Sequence, residues 1–149
     1  LVEGLDNCLV KFSKCCTPIP GDNIVGFVTR GYGVSIHRTE CRNVAKGMEN
    51  TEEYGRWVRV SWDPYTKFKF STGIQIRAKA RVGILADILQ VCSVMKINVT
   101  EMNVRDSQGQ GNYFCTLEVF DREQLESIMN RIRKVSGVIE VSRTMAEKN

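Results

Sequence analysis

Two stretches in the second half of the chain share one apolar spacing, and that repeat constrains the fold more than any other feature. Leu85, Ile88, Leu89, Cys92 and Met95 follow one another at steps of three, one, three and three residues, and Leu125, Ile128, Met129, Ile132 and Val135 repeat those steps. At about 100° per residue each set falls on one side of a helix, so each stretch predicts an amphipathic helix with one buried face. Around them the period changes. Ile74, Ile76, Ala78 and Ala80 alternate with Gln75, Arg77, Lys79 and Arg81, the period of a strand with one apolar face. Residues 99–105 and 112–120 read as strands on either side of the turn-rich segment 107–111, and 138–143 as a last strand. Gly83 opens the first helix, Asp121 and Gln124 are placed as a reciprocal cap on the second, and Gly137 ends it. The order is βαββαβ.

Two helices that each bury one face pack on one side of a four-stranded antiparallel sheet, which is a ferredoxin-like sandwich. The other sheet face is then left bare. Phe114 and Phe120 fall on the side of their strand opposite Tyr113, Cys115, Leu117 and Val119, so the bare face is expected to associate with another domain or subunit.

The first part of the chain is punctuated differently. Residues 8–12 alternate weakly, and Pro18, Pro20, Gly21 and Asp22 then break regular structure into a rigid loop. Residues 24–29 and 33–36 predict a hairpin across the glycines at 31 and 33. A short helix is expected from an N-cap at Thr39 to about Gly47, and a half-buried strand over 56–62. Asp63-Pro64 marks a boundary. The expected class is α+β: a small β-rich cysteine module over 1–63, a linker over 64–70, and the βαββαβ domain over 71–146.

With 149 residues, 42% hydrophobic and 26% charged, the chain has the composition of a globular protein, and no apolar run is long enough to span a bilayer. Leu1 reads as a cut inside a longer protein, since no initiating Met or signal segment precedes it. Six cysteines without a secretory signal suit a reducing cytoplasm better than a disulfide framework. The net charge of +4 is spread evenly, so RNA binding through a polybasic arm is not expected, although Arg30, Arg38, Arg42 and Lys46 could form a local patch. One histidine, no HExxH and no Walker-type loop leave little for an active site.

Cys15, Cys16, His37 and Cys41 are soft ligands suited to a tetrahedral metal. Adjacent residues on a strand point to opposite sides, so Cys15 and Cys16 converge only if a turn at Thr17-Pro18 brings them together. Two alternatives stand beside that reading: Cys8 or Asp22 completes the shell, or the cysteines are buried apolar groups with no metal. Cys92 and Cys115 sit in amphipathic patterns and read as core.

The run CCTPIPGDNIVGFVTRGYGVSIHRTEC, residues 15–41, resembles the conserved-cysteine segment near the C-terminus of the long RelA/SpoT-type enzymes that make and degrade (p)ppGpp. IQIRAKARVGILADILQVCSVMKINVTEMNV resembles the ACT domain that ends the same enzymes. Together they cover nearly the whole chain. The resemblance implies a non-catalytic regulatory fragment whose parent is a GTP pyrophosphokinase or (p)ppGpp hydrolase with its catalytic domains upstream. It implies zinc at Cys15, Cys16, His37 and Cys41, ribosome and tRNA as partners, and Arg30, Tyr32, Arg38 and Arg42 as surface groups for RNA. For the ACT domain it implies a branched-chain amino acid held by Arg81, Val82, Gly83, Ile84 and Leu85 with Asn98 and Val99 opposite, although Ala80 replaces the family's usual acidic residue. The rival expectation is an amino-acid-sensing homodimer without an RNA role.

Overall fold

The computed structural model describes residues 9–31, 33–64 and 68–145. They divide into two compact units, the second being Phe68–Thr144.

The first unit is a four-stranded sheet in the order β1-β3-β2-β4 with one helix. Strands β2 (Ile24–Val28) and β3 (Gly33–Arg38) form the expected hairpin, with Val25 opposite His37 and Gly26 opposite Ile36. The weakly alternating start is a strand as well. β1 (Leu9–Phe12) pairs in parallel with β3, a long-range pairing that no local pattern announces. The expected strand over 56–62 shrinks to β4 (Trp57–Val58): a 3-10 turn over Tyr54–Arg56 takes its first residue, and its pairing with β2 ends at Val58, opposite Gly26.

Helix α1 (Arg42–Glu49) begins two residues later than predicted, with Cys41 and not Thr39 as its N-cap. Cys41 donates its backbone N–H to the carbonyl of Arg38, so residues 38–41 turn tightly before the helix starts. The helix also continues through Gly47. A Cβ at that position would lie 2.5 Å from Cζ2 of Trp57, so the glycine admits the indole against the helix.

In the second unit the βαββαβ order is observed: β5 (Phe70–Lys79), α2 (Ile84–Val94), β6 (Val99–Ser107), β7 (Gln110–Val119), α3 (Arg122–Arg133) and β8 (Val138–Arg143). The sheet order is β6-β7-β5-β8, antiparallel at every pairing. Strand β5 starts at Phe70, inside the expected linker, because Phe70 already pairs with Val119. Gln108 and Gly109, with φ of 51° and 77°, make a two-residue turn between β6 and β7, shorter than the loop expected there. Positive φ at both central residues matches the right-handed twist of the strands they join.

Both helices cover one sheet face. Leu125, Ile128, Met129 and Ile132 are buried, as their spacing requires. On α2 the buried line is Ile84, Ile88 and Cys92, while Leu89 is exposed. Two steps of four residues join them along one side of the helix, while Leu85 and Met95 of the predicted set are half-buried. Asp121 accepts the N–H of Gln124 at 2.8 Å, and the Gln124 side chain accepts the N–H of Phe120, completing a reciprocal cap.

The register sets polar groups around the aromatics expected on the bare face. Phe114 lies opposite Gln75 and Asn103, next to the Arg77–Asn112 and Arg105–Asn112 pairings, and the Arg105 guanidinium sits 5.7 Å from its ring centroid. Phe120, just past β7, is 45% exposed with the Lys69 ammonium 5.6 Å from its ring centroid, so both expected aromatics stand beside polar and charged groups.

Candidate metal centre

The CCTPIPGD segment folds as two tight turns in succession. Thr17 donates its N–H to the carbonyl of Ser13 at 2.9 Å, closing a turn around Lys14, Cys15 and Cys16. Thr17 itself adopts φ 43°. This turn solves the problem of the adjacent thiols, since its curvature points both side chains to one side where a strand would separate them. It lies over Ser13–Thr17, one step before the predicted Thr17-Pro18.

Asp22 stabilises the second turn. Its carboxylate accepts the N–H of Ile19 at 2.8 Å and its carbonyl accepts the indole N–H of Trp62 at 3.0 Å. Pro18 and Ile19 are fully buried beneath it. Asp22 thus holds the loop and is not among the four clustered ligand side chains; Cys8 lies outside the described residues.

His37 enters from β3 and Cys41 from the N-cap of α1. The ligand atoms of Cys15, Cys16, His37 and Cys41 all lie within 4.8 Å of one another, and all four residues are buried. Cys15 Sγ is 3.7 Å from Cys41 Sγ and 3.9 Å from Cys16 Sγ, while His37 Nδ1 is 3.4 Å from Cys15 Sγ and 3.8 Å from Cys16 Sγ. A tetrahedral zinc with ordinary Zn–S and Zn–N bonds sets sulfur–sulfur edges of roughly 3.8 Å and sulfur–nitrogen edges of roughly 3.6 Å. The four side chains therefore fit a Cys3His zinc site.

The surroundings act on the sulfur in two opposed ways. Burial pushes the Cys16 thiol up to about 12, against a lowering by the Arg38 backbone N–H, and negative charge on Cys15 or Cys41 would push it further. The Arg38 N–H lies 3.3 Å from Cys16 Sγ. Such a donor stabilises sulfur that carries negative charge, which a bound divalent cation would supply by displacing the proton. Around the cluster stand Val44, with Val25 and Trp57 partly buried against it. The sequence pointed to the four ligands but missed Ser13, whose buried hydroxyl lies 3.1 Å from His37 Nε2. Its only signal is its place two residues before Cys15.

The residues expected to meet RNA are placed unevenly. Arg30 and Arg42 are exposed, Arg30 between β2 and β3 and Arg42 beyond the other end of β3. Tyr32 lies outside the described residues. Arg38 is a correction: only 2% of it is exposed, and its guanidinium bonds Glu40 at 2.9 Å. The strand expected to end at 36 runs on to Arg38, which is buried at its end just before the tight turn at 38–41.

The seven residues expected to hold an amino acid fall into two groups. Arg81–Leu85 follow the end of β5, where Lys79 pairs with Gln110, and Asn98 and Val99 begin β6, where Val99 pairs with Leu117. Seven positions along β7 separate the two ends, roughly 24 Å at strand rise. Within one chain they do not form one pocket. Arg81 is instead tied to Asp87 at 2.7 Å and to the Ser136 carbonyl at 3.0 Å, and Asn98 to Glu118 at 2.8 Å.

A thiol–imidazole ligand set in a small β-rich unit, followed by a ferredoxin-like βαββαβ unit, defines a metal-fitted module joined to an ACT-type module. Family comparison agrees with both halves: residues 1–63 match the RelA/SpoT RIS domain and residues 66–143 the ACT domain. The chain belongs to the ACT-domain family and carries the RIS–ACT pairing of the RelA/SpoT proteins. It is 38% identical over 143 residues, 95% of its length, to a bifunctional (p)ppGpp synthase/hydrolase RelA of Mycobacterium tuberculosis, of which that covers 19%. To the bifunctional (p)ppGpp synthase/hydrolase SpoT of Escherichia coli it is 34% identical over 143 residues, 95% of this chain and 20% of that protein. The chain thus spans about a fifth of the length of these relatives. The ACT domain from GTP pyrophosphokinase of Chlorobium tepidum, a crystal structure, is similar over 50% of this chain and 97% of that one, with 27% identity and a TM-score of 0.46.

Proposed function

We propose that the chain is a regulatory, non-catalytic part of a cytoplasmic (p)ppGpp synthase/hydrolase, conveying ribosome and tRNA status to catalytic domains elsewhere in the parent protein. The observation that carries this reading is the four-ligand cluster at the centre of the unit that matches the RIS domain. In that reading zinc is structural: Cys15, Cys16, His37 and Cys41 hold it, and it supplies cross-links between β3, α1 and the Ser13–Thr17 turn in a unit too small to rely on its core alone. All four positions are filled by protein side chains, which suits a scaffold and leaves no open position for a substrate.

The scaffold would present the β2–β3 turn and the start of α1, where Arg30 and Arg42 are exposed. These cations suit phosphate contacts on RNA. Co-sedimentation of the chain with ribosomes carrying tRNA tests the reading. The chain should pellet, and Arg30→Glu with Arg42→Glu should reduce the pelleted fraction at moderate salt. Failure of the native chain to pellet, or an undiminished pellet for the double variant, contradicts it.

A further inference from the structure

We infer that Ser13 is the positioning residue of the metal centre, fixing His37 so that Nδ1, and not Nε2, faces the metal. The inference rests on the zinc reading above and concerns a residue outside the ligand set.

His37 presents its two ring nitrogens to different partners. Nδ1 looks into the thiol cluster, 3.4 Å from Cys15 Sγ and 3.8 Å from Cys16 Sγ, whereas Nε2 is 3.1 Å from Ser13 Oγ. A neutral imidazole carries one proton and one lone pair on separate nitrogens. Ligation through Nδ1 therefore leaves the proton on Nε2, where it donates to the Ser13 hydroxyl oxygen. The ring is also held edgewise, with its centroid 6.0 Å from that of Trp57 at an interplanar angle of 60°.

Ser13 can do this because its own position is fixed twice by the backbone. Its N–H donates to the Ile36 carbonyl at 3.0 Å, next to His37 on β3, and its carbonyl accepts the Thr17 N–H at 2.9 Å. The first bond ties Ser13 to the strand that carries the histidine; the second closes the turn that presents Cys15 and Cys16. One turn thus supplies two ligands and the group that orients a third. Ser13 is itself buried, at 8% exposure, so water does not easily replace its hydroxyl. Partners of this kind set the tautomer and orientation of a ligating histidine, and their loss typically costs about 10–100-fold in metal affinity.

The test uses the full chain loaded with Zn²⁺ and 15N-labelled at histidine, followed by chelator competition on the native chain, Ser13→Ala and Ser13→Thr. His37 is the only histidine, so its two ring nitrogens are observed without overlap. The expected result is a protonated Nε2 and a metal-shifted Nδ1 in the native chain, a zinc affinity about 10–100-fold weaker in Ser13→Ala, and recovery of most of that loss in Ser13→Thr. Zinc bound through Nε2, or Ser13→Ala with unchanged affinity, overturns the role of Ser13 while leaving the metal centre standing. A native chain that binds no zinc overturns the metal reading, and this inference with it. The nitrogen assignment is made on the native chain, so it decides the ligating atom even if Ser13→Ala does not fold.

Discussion

The chain buries cysteines in both of its units, and the contrast between the two sets shows what makes a buried thiol a ligand. In the second unit Cys92, on the buried line of α2, and Cys115, on β7, are both buried, with Cys115 Sγ 3.3 Å from the Met102 sulfur. Burial raises both thiols, Cys115 to about 12, and charge on Cys92 would raise it further. They are small apolar groups in an aliphatic core. Cys15, Cys16 and Cys41 are equally buried, yet they face one another and an imidazole, and a backbone N–H points at Cys16. Burial is common to both sets. Among the described residues, convergence with a nitrogen ligand belongs to the first.

Metal removal should break this contrast most strongly. Stripping zinc with a chelator is expected to lower hydrogen-exchange protection across β2, β3 and α1 while β5, β7 and α3 keep theirs. Apparent binding energies of structural zinc in small domains run to about 10 kcal/mol or more, which sets the upper scale of the loss. Equal loss in both units would remove the distinction. The cysteines can next be exchanged one at a time. Cys16→Ser should abolish stoichiometric zinc, whereas Cys115→Ser should keep it and cost about 1–3 kcal/mol for a hydroxyl buried among aliphatic side chains, read from denaturant unfolding.

The pH dependence sharpens the comparison further. A raised Cys16 means that the folded, metal-free unit holds its proton more tightly than the unfolded chain does, so stability is full below the ordinary value of 9.0 and is lost as pH rises toward about 12. The metal-free first unit should therefore melt earlier above pH 9, and zinc should remove that dependence because the proton has already left. Cys115 gives the second unit the same alkaline loss with or without zinc. Melting curves at pH 7 and pH 10, with and without metal, show whether the two units separate in this way. The smallest effect belongs to Asp121→Ala, which removes a cap from α3 and should cost the second unit about 1 kcal/mol without altering zinc content.

The second unit was largely legible in the sequence because its signals are local. The 3.6-residue period of α3, the alternation of β5 and the Asp121 cap each specify structure within a few residues. Leu89 misled because a helix face about 100° wide admits more than one stripe, and packing chose the Ile84-Ile88-Cys92 line. The first unit depends on longer-range events. β1 pairs with a strand more than twenty residues away, β4 pairs with β2 over only two residues, and Arg38 is buried where β3 meets the turn at 38–41. The ligand residues could be named from their chemistry, but the convergence of Cys15 and Cys16 could not, since it rests on the backbone bond from Thr17 to Ser13. Beyond its place two residues before Cys15, Ser13 had no sequence signature, because a hydroxyl acquires its role here from the placement of His37 on β3.

The most direct test of the central claim is the metal content of the chain purified without added chelator. The account predicts one zinc per chain, falling to near zero in Cys16→Ser and unchanged in Cys115→Ser. A native chain with a zinc stoichiometry near zero that remains folded across β2, β3 and α1 would contradict it, and would make the four side chains a metal-free core.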